Sequence, residues 1–254
     1  MPHSDSLPEV LSVRDLTKVY GDRTAVDGIS FAVRQNEILG LLGPNGAGKT
    51  TTINMLLGVL EPTSGTIEIE GIDVGRHRSK AIEQTNFAAV YAPLPGNLTV
   101  AQNLKVFGLL YRVKNLSNKI EELIHSFDLE RFRNTKCGVL SSGEQTRAGL
   151  AKAMLNDPRV LLLDEPTASL DPSAARYIRE RLVQYAHERE VGILWTSHNM
   201  YEVADVCDRV CFLSRGKIVL AGDPKLMPAE HGKASLEELF ITVAREPLSL
   251  EQAA

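Results

Sequence analysis

Residues 37–50 read EILGLLGPNGAGKT, and this stretch decides the fold of the chain. Its first six residues are mostly large and apolar, which predicts a short buried strand. Residues 43–50 then fit the pattern G-x-x-x-x-G-K-[ST], and residues 51–57, TTINMLL, predict a helix directly after the loop. The loop therefore lies at a helix N-terminus, where free backbone N–H groups and the helix dipole favour a phosphate.

The residues of this loop predict the parts of a nucleotide site. Its backbone N–H groups are expected to wrap a di- or triphosphate, with Lys49 at the terminal phosphates and the Thr50 hydroxyl on Mg²⁺. The predicted nucleotide-binding residues of this segment are Gly43, Pro44, Asn45, Gly46, Ala47, Gly48, Lys49, Thr50 and Thr51.

A second segment, residues 160–165, reads VLLLDE and supplies two carboxylates, which the loop lacks. An apolar run that ends in two carboxylates is typical of a buried parallel strand with its last residues at the carboxyl edge of a sheet. At that edge Asp164 is predicted to bind the metal and Glu165 to activate water. The two segments together predict hydrolysis of a nucleoside triphosphate.

Composition limits the classes of protein to which the chain can belong. Its 254 residues suit one α/β domain with an insertion, and its net charge of −4 does not suggest a nucleic-acid partner. Three Cys are too few and too scattered for a disulfide framework, which favours a reducing cytoplasm. No apolar run approaches the ~20 residues that a membrane span requires. Any membrane-spanning part of the system is therefore expected on another chain.

Patterns elsewhere predict the remaining elements. Residues 10–20 and 25–33 alternate in part around a Gly-containing turn, which predicts an antiparallel hairpin, and residues 66–70 alternate as a further strand. From residue 99 to about residue 128 the apolar spacing becomes helical. A helical block is therefore predicted between strands.

Residues 139–145, VLSSGEQ, precede another helical run and allow two interpretations. Small polar residues and a Gly ahead of a helix can form a second anion-binding N-terminus, with Ser141 as a hydroxyl donor. The same residues also fit a helix cap with an approximate capping box. A single active site has no obvious need for two anion-binding helix ends.

At this point the chain resembles the nucleotide-binding subunit of an ATP-binding-cassette (ABC) transporter. The signature of that family is Leu-Ser-Gly-Gly-Gln, and this chain has Leu140, Ser141, Ser142, Gly143 and Glu144 in its place. The resemblance implies that the signature of one subunit closes over the γ-phosphate held by the loop of another. It therefore implies a head-to-tail pair, expected to be a homodimer, that sandwiches two molecules of ATP with Mg²⁺.

The resemblance covers residues 10–222 and implies roles for further residues. Tyr20 matches the aromatic residue that stacks on adenine, and residues 168–171, ASLD, resemble the loop that passes between subunits. His198 ends an apolar strand and matches the family's switch histidine, which contacts the γ-phosphate. The predicted catalytic residues are thus Glu165, His198 and Lys49, the metal ligands are Thr50 and Asp164, and Ser141, Ser142, Gly143 and Glu144 bind nucleotide.

One element of the family is missing. Its members usually carry a Gln ahead of the helical block, and here Tyr91 or Ala92 falls at that place, while Gln84 is several residues too early. We hypothesise that Tyr91 or a water molecule supplies the missing contact. The difference concerns the outer coordination of the metal and the coupling to a partner, and it does not affect ATP binding.

The predicted fold class is α/β. A P-loop NTPase core of mostly parallel sheet is flanked by helices and carries an N-terminal antiparallel β subdomain and an inserted helical subdomain. Within a single domain of residues 1–254, residues 1–93 and 151–223 form the core with its antiparallel β portion, residues 94–150 the helical insertion with the signature, and residues 224–254 a short tail. The core is expected to place the loop, Asp164, Glu165 and His198 at one sheet edge.

The function predicted from these observations is ATP hydrolysis that drives transport through a separate transmembrane protein. Residues 235–240, SLEELF, resemble the short ending of ABC-2 type exporter ATPases, which favours export. The chain is expected in the cytoplasm, bound peripherally to the cytoplasmic face of the membrane. One alternative is a soluble ABC ATPase without a role in transport. Another is a subunit that binds ATP without hydrolysing it, which the Asp164–Glu165 pair disfavours.

Overall fold

The computed structural model describes residues 7–89, 92–168 and 170–245. The strands in these residues are β1 (Glu9–Tyr20), β2 (Arg23–Arg34), β3 (Ile38–Leu42), β4 (Ser64–Ile69), β5 (Ile72–Asp73), β6 (Thr85–Ala89), β7 (Val160–Asp164), β8 (Gly192–Thr196), β9 (Arg209–Ser214) and β10 (Lys217–Gly222). The helices are α1 (Lys49–Leu56), α2 (Val74–Ile82), α3 (Val100–Leu110), α4 (Leu116–Ser126), α5 (Ser142–Ala153), α6 (Pro172–Arg189), α7 (Met200–Val206), α8 (Met227–Glu230) and α9 (Leu236–Arg245).

A six-stranded sheet forms the centre of the fold, in the order β10-β9-β3-β8-β7-β6. Its neighbouring strands pair in parallel except β10, which runs antiparallel to β9. Every residue of β3, β7 and β8 is buried. Along β7 the apolar side chains alternate between two cores, with Leu161 and Leu163 in one and Val160 and Leu162 in the other. A sheet covered on both faces explains why these strands are continuous apolar runs.

A smaller antiparallel sheet covers one face of the large sheet, in the order β2-β1-β4-β5. The predicted hairpin is confirmed, since β1 and β2 pair up to Tyr20 and Arg23 at the turn. Side chains from this sheet, including Leu11 and Val33, share a core with Leu39 and Leu41 of β3. The antiparallel sheet therefore packs directly against β3, the strand that leads into residues 43–50, here called the phosphate loop.

The chain between β6 and β7 is helical, as its apolar spacing predicts. It comprises α3, α4, two short 3₁₀ turns and α5. Thr99 and Gln102 form a capping box at the start of α3, which satisfies two otherwise free backbone N–H groups. The buried Asn103 side chain donates to the carbonyl oxygens of Pro95 and Thr99 and ties the entry loop to the helix. The division of the chain into subdomains at the predicted boundaries stays a prediction.

The predicted fold class is confirmed: the molecule combines a mostly parallel sheet, a separate antiparallel sheet and flanking helices. Strands β3, β8 and β7 are adjacent and parallel, so their carboxyl ends meet at one edge. The phosphate loop, the Asp164–Glu165 pair and the His198 segment all begin at this edge. Among the helices in the described part of the chain, none is both long and apolar enough to cross a bilayer.

Candidate active site

The loop between β3 and α1 requires glycine at two positions. Gly48 stands directly before α1 with φ 114°, and a Cβ there would lie 2.7 Å from the carbonyl oxygen of Ala25. A Cβ on Gly43 would lie 2.3 Å from the carbonyl oxygen of Leu213. Both neighbours are backbone atoms, which cannot turn aside as a flexible side chain can. The loop geometry therefore depends on close backbone packing against β2 and β9.

We expect Gly48→Ala to destabilise this loop. The left-handed backbone costs an Ala about 1–2 kcal/mol, and contact with the Ala25 carbonyl adds to that cost. Gly149→Ala is the matched control, because Gly149 lies within α5 and nothing is within 4 Å of its Cβ position. That change should stabilise the protein by about 0.5–1 kcal/mol. Thermal unfolding and ATP titration of both variants test this; equal effects of the two changes would contradict it.

Lys49 is the first residue of α1, and its amino group turns back over the loop. Its Nζ donates to the carbonyl oxygens of Gly43 at 2.5 Å and Pro44 at 3.2 Å. Burial lowers the pKa of Lys49, and the negative charges of Glu165 and Asp164 oppose this shift. The Lys49 cation thus contacts the loop carbonyls and is favoured by the charges of the two carboxylates.

Tyr20 and the loop line one cavity of about 370 Å³. Tyr20 ends β1 with 48% of its surface exposed, and Lys18 Nζ lies 5.3 Å from the centre of its ring. The predicted residues that line this cavity are Tyr20, Pro44, Asn45, Gly46, Gly48, Lys49, Thr50 and Thr51. Gly43 and Ala47 are buried beneath it, and the Ala47 carbonyl accepts from the Gly216 N–H at 2.9 Å. Arg23 also lines the cavity, although its sequence context gave no signal of this.

Asp164 is the last residue of β7 and is 5% exposed. One of its carboxylate oxygens accepts a hydrogen bond from the hydroxyl of Thr196, the last residue of β8. Burial raises the pKa of Asp164, and the hydrogen bond from Thr196 opposes this shift. Thr196 therefore holds and stabilises the buried carboxylate. Thr196 is not among the predicted site residues; its place at the end of a buried strand, two residues before His198, is the available signal.

Glu165 and His198 form a pair directly beyond these strands. His198 Nδ1 lies 2.9 Å from one carboxylate oxygen of Glu165 and 2.7 Å from the other. Glu165 has φ 54°, and its N–H donates to the Thr196 carbonyl oxygen at 3.1 Å. The Glu165 side chain is 21% exposed and that of His198 is 73% exposed. The backbone of Thr196 thus holds Glu165 in place, while the His198 side chain is open to solvent.

Ser141 caps α5, as the second interpretation of residues 139–145 predicts. Its hydroxyl accepts from the Glu144 N–H at 3.4 Å, and its own N–H donates to the Glu144 carboxylate at 2.8 Å. A Cβ on Gly143 would be nearest Leu170 and Ala174. Residues 141–144 do not line the cavity that Tyr20 and Lys49 share in the described chain. The structure thus brings together the loop, Asp164, Glu165 and His198, and it places Ser141 elsewhere.

The segment that lacks the expected Gln is described only in part. Tyr91 lies outside the described residues, so the hypothesis on its side chain stays a prediction. Ala92 is exposed, and its N–H donates to the Ala89 carbonyl oxygen at 3.1 Å. Its methyl group has no atom that can bind a metal. Gln84 directly precedes the amino end of β6, which lies at the edge of the sheet opposite the one that carries Asp164.

Comparison with known proteins gives consistent findings. Residues 26–168 match the family described as ABC transporter. Nod factor export ATP-binding protein I of Ralstonia nicotianae is 38% identical over 217 residues, which are 85% of this chain and 67% of that protein. The probable multidrug ABC transporter ATP-binding protein YbhF of Escherichia coli is 36% identical over 244 residues, 93% of this chain but 42% of YbhF.

Solved structures agree with the sequence relatives. An ATP-binding subunit of an ABC transporter superposes with a TM-score of 0.82 and 28% identity, covering 92% of this chain and 99% of that one. The cbiO1 protein of Clostridium perfringens, described as part of the transporter complex cbiONQ, gives a TM-score of 0.80 and 26% identity. That match covers 94% of this chain and 96% of cbiO1.

Proposed function

Because this chain belongs to the ABC transporter family and is an ATP-hydrolysing subunit of a transporter, we propose that it drives export through a separate membrane-spanning protein. The observation that carries the ATP-driven part of the proposal is the meeting of Lys49, Asp164 and the Glu165–His198 pair at one sheet edge. Exporter ATPases among the relatives and the tail, residues 235–240, support the direction of transport.

The cavity of Tyr20 and Lys49 is the proposed ATP site. The exposed ring of Tyr20 suits stacking on adenine at one end, and the loop suits the phosphates at the other. Lys49 exchanges its two carbonyl contacts for the terminal phosphates. A phosphate anion there also favours the protonated form of Lys49, which burial alone disfavours.

Thr50 and Asp164 fit Mg²⁺ because both offer oxygen ligands, which this hard cation prefers. Mg²⁺ usually keeps several waters and binds through one or two protein groups together with substrate phosphates. In accord with this, the described ranges contain no cluster of three or more His, Cys, Asp or Glu that could hold a metal. When bound, the ion would neutralise charge on the phosphates; Thr196 would keep the Asp164 carboxylate in place.

Glu165 is the proposed general base. Its partly exposed carboxylate can accept a proton from a water that attacks the γ-phosphate, at a position beside Lys49. His198 contacts that carboxylate directly and can respond to the presence or loss of the phosphate. The Thr196 carbonyl and hydroxyl oxygens both lie within hydrogen-bond distance of the Glu165 N–H, which keeps the base at the end of β7.

The signature residues are proposed to complete the site of a second copy of the chain. The capping box engages the N–H groups of Ser141 and Glu144, so α5 retains other N-terminal N–H groups and the positive end of its dipole for an anion. Ser141 and Ser142 are exposed, and they do not line the ATP cavity of the same chain. A head-to-tail homodimer would bring Ser141–Glu144 onto ATP held by the partner.

The proposed partner of this pair is an integral membrane protein, in line with the relatives named as transporter ATP-binding proteins and with cbiO1 as part of a transporter complex. The chain would then bind to the cytoplasmic face of the membrane.

Membrane association tests this proposal. We expect a tagged chain to sediment with membranes when a protein of about six hydrophobic spans, encoded beside it, is coexpressed, and to remain in the supernatant without it. Glu165→Gln should sediment in the same way, because the change removes catalysis and leaves the outer surface intact. A chain that stays in the supernatant even when the membrane protein is coexpressed, and whose function in cells does not require that protein, would instead support the non-transport ABC ATPase.

A further inference from the structure

The Glu165–His198 pair is one part of a closed ring of contacts. Two residues after Glu165, the Thr167 hydroxyl donates to one carboxylate oxygen of Glu202. The hydroxyl of Ser197, the residue before His198, donates to the other oxygen at 3.0 Å. His198 then returns to Glu165 through its Nδ1. A single carboxylate on α7 thus joins the segment that carries the base to the segment that carries the histidine.

The ring is buried on the side of Glu202. Glu202 and Thr167 are each 6% exposed, and Ser197 is 2% exposed. A buried carboxylate is costly unless its oxygens accept hydrogen bonds, and here each oxygen accepts one. Arg179 of α6 adds a cation, with its Nη1 3.7 Å from the carboxylate. Glu202 therefore has a fixed position, with one hydroxyl donor on each of its carboxylate oxygens.

The backbone holds Glu202 in the same way. Asn199, the residue after His198, is the N-cap of α7, and its side chain accepts from the Glu202 N–H at 3.3 Å. The Asn199 N–H donates to the Ser197 hydroxyl oxygen at 3.0 Å. The residues on either side of His198, Ser197 and Asn199, thus both bond to Glu202 in the first turn of α7. Thr167 is the contact that extends this unit to the segment after β7.

We propose that Glu202 is a positioning residue for ATP hydrolysis, which holds the segments of Glu165 and His198 at the separation at which their side chains pair. The inference rests on the proposed role of Glu165 as the base. Glu202 does not touch the ATP cavity, so it acts on the placement of the base rather than on binding. Placement matters because a displacement of about 1 Å in a catalytic group can cost about 100-fold in rate.

The test compares variants that cut the ring at different points. We expect Glu202→Ala to lower kcat by about 10- to 100-fold while the Kd for ATP changes by less than about twofold. Thr167→Val and Ser197→Ala should each lower kcat by a smaller factor. Adding Thr167→Val to Glu202→Ala should cause no further loss, because the contact of the Thr167 hydroxyl with residue 202 is already absent. Glu202→Gln should recover part of the rate, since its amide oxygen still accepts from one hydroxyl.

Asp205→Asn is the matched control. Asp205 lies on α7 and also pairs with Arg179, at 3.6 Å, but its side chain is 72% exposed. It contacts neither Thr167 nor Ser197 in the described chain. This variant should keep the wild-type kcat. If Glu202→Ala does not fold, Ser197→Ala and Thr167→Val carry the test, because each is a small change that removes one contact to the same carboxylate.

Several results would overturn the inference. A folded Glu202→Ala protein with wild-type kcat, or one with a reduced melting temperature and unchanged kcat, would show that Glu202 serves stability alone. A rise in the Kd for ATP that matches the loss of activity would assign it to binding. If Glu165→Gln also hydrolyses ATP normally, the proposed base is wrong, and the inference falls with it. If Glu165→Gln is inactive and Glu202→Ala is fully active, only the inference on Glu202 fails.

Discussion

Glu165→Gln is expected to lower ATP turnover by at least about 100-fold, the scale of the loss of a general base. The amide keeps the size of the side chain but cannot take a proton from water. The phosphate loop is untouched, so ATP still binds. Bound ATP that is not hydrolysed should hold two copies together, and the variant should form an ATP-dependent dimer. Phosphate release measures turnover, and sedimentation velocity with and without ATP measures association.

Two further variants sharpen this experiment. Glu188→Gln makes the same change at an exposed position near the C-terminal end of α6, shortly before the amino end of β8 and therefore toward the sheet edge opposite the active-site residues, and should have wild-type turnover. Ser141→Arg, added to Glu165→Gln, places a large side chain at the proposed contact with the partner and should abolish the ATP-dependent dimer. Normal turnover of Glu165→Gln would disprove the catalytic role. A strictly monomeric ATP-loaded variant, also in the presence of its membrane partner, would disprove the sandwich.

Lys49→Ala is expected to weaken ATP binding itself by about 10- to 100-fold, the value of a hydrogen bond to a charged group. The change removes the cation that contacts the loop carbonyls and interacts with the charges of Asp164 and Glu165. The phosphates then face these two negative charges without Lys49. The affinity loss should therefore be larger for ATP than for ADP. Equilibrium titration with a fluorescent nucleotide gives both dissociation constants.

Lys80→Ala is the control for a change in total charge, because Lys80 is exposed on α2 and does not line the ATP cavity. It should bind ATP as the wild type does. Lys49→Arg keeps the charge but replaces a compact ammonium group with a planar fork, and we expect only partial recovery because the loop encloses the ammonium closely. Wild-type affinity of Lys49→Ala would contradict the proposed role of the loop lysine.

The elements around the site could be predicted because their signals are local. The hairpin of β1 and β2 follows from alternation around a tight turn, and β3, β7 and β8 follow from short apolar runs. The carboxyl ends of adjacent parallel strands meet, so the meeting of Lys49, Asp164 and His198 follows as well. For Ser141, the local pattern predicted the capping box correctly, and its proposed contact with a second chain stays a prediction.

The contacts behind the site could not be predicted in this way. Glu202 belongs to a common residue type, and nothing near it in the sequence distinguishes a buried hydrogen bond from an exposed side chain. The place of Thr196 at the end of an apolar run indicates burial but does not identify Asp164 as its partner. Arg23 lines the proposed ATP cavity only because the antiparallel sheet packs beside the loop. Such partners come from segments that are tens of residues apart, and their meeting depends on the packing of whole elements.

The amino-acid sequence alone thus establishes the class of fold, the phosphate loop and the Asp164–Glu165 pair. Glycine geometry, apolar periodicity and charge act between residues that are close in the sequence. Folding in three dimensions decides how those groups are held. Burial raises the pKa of Asp164, Thr196 opposes that shift, and Glu202 joins the segments of the Glu165–His198 pair. Solvent exclusion and hydrogen bonding between distant segments exist only when the sheet and the helices have packed together.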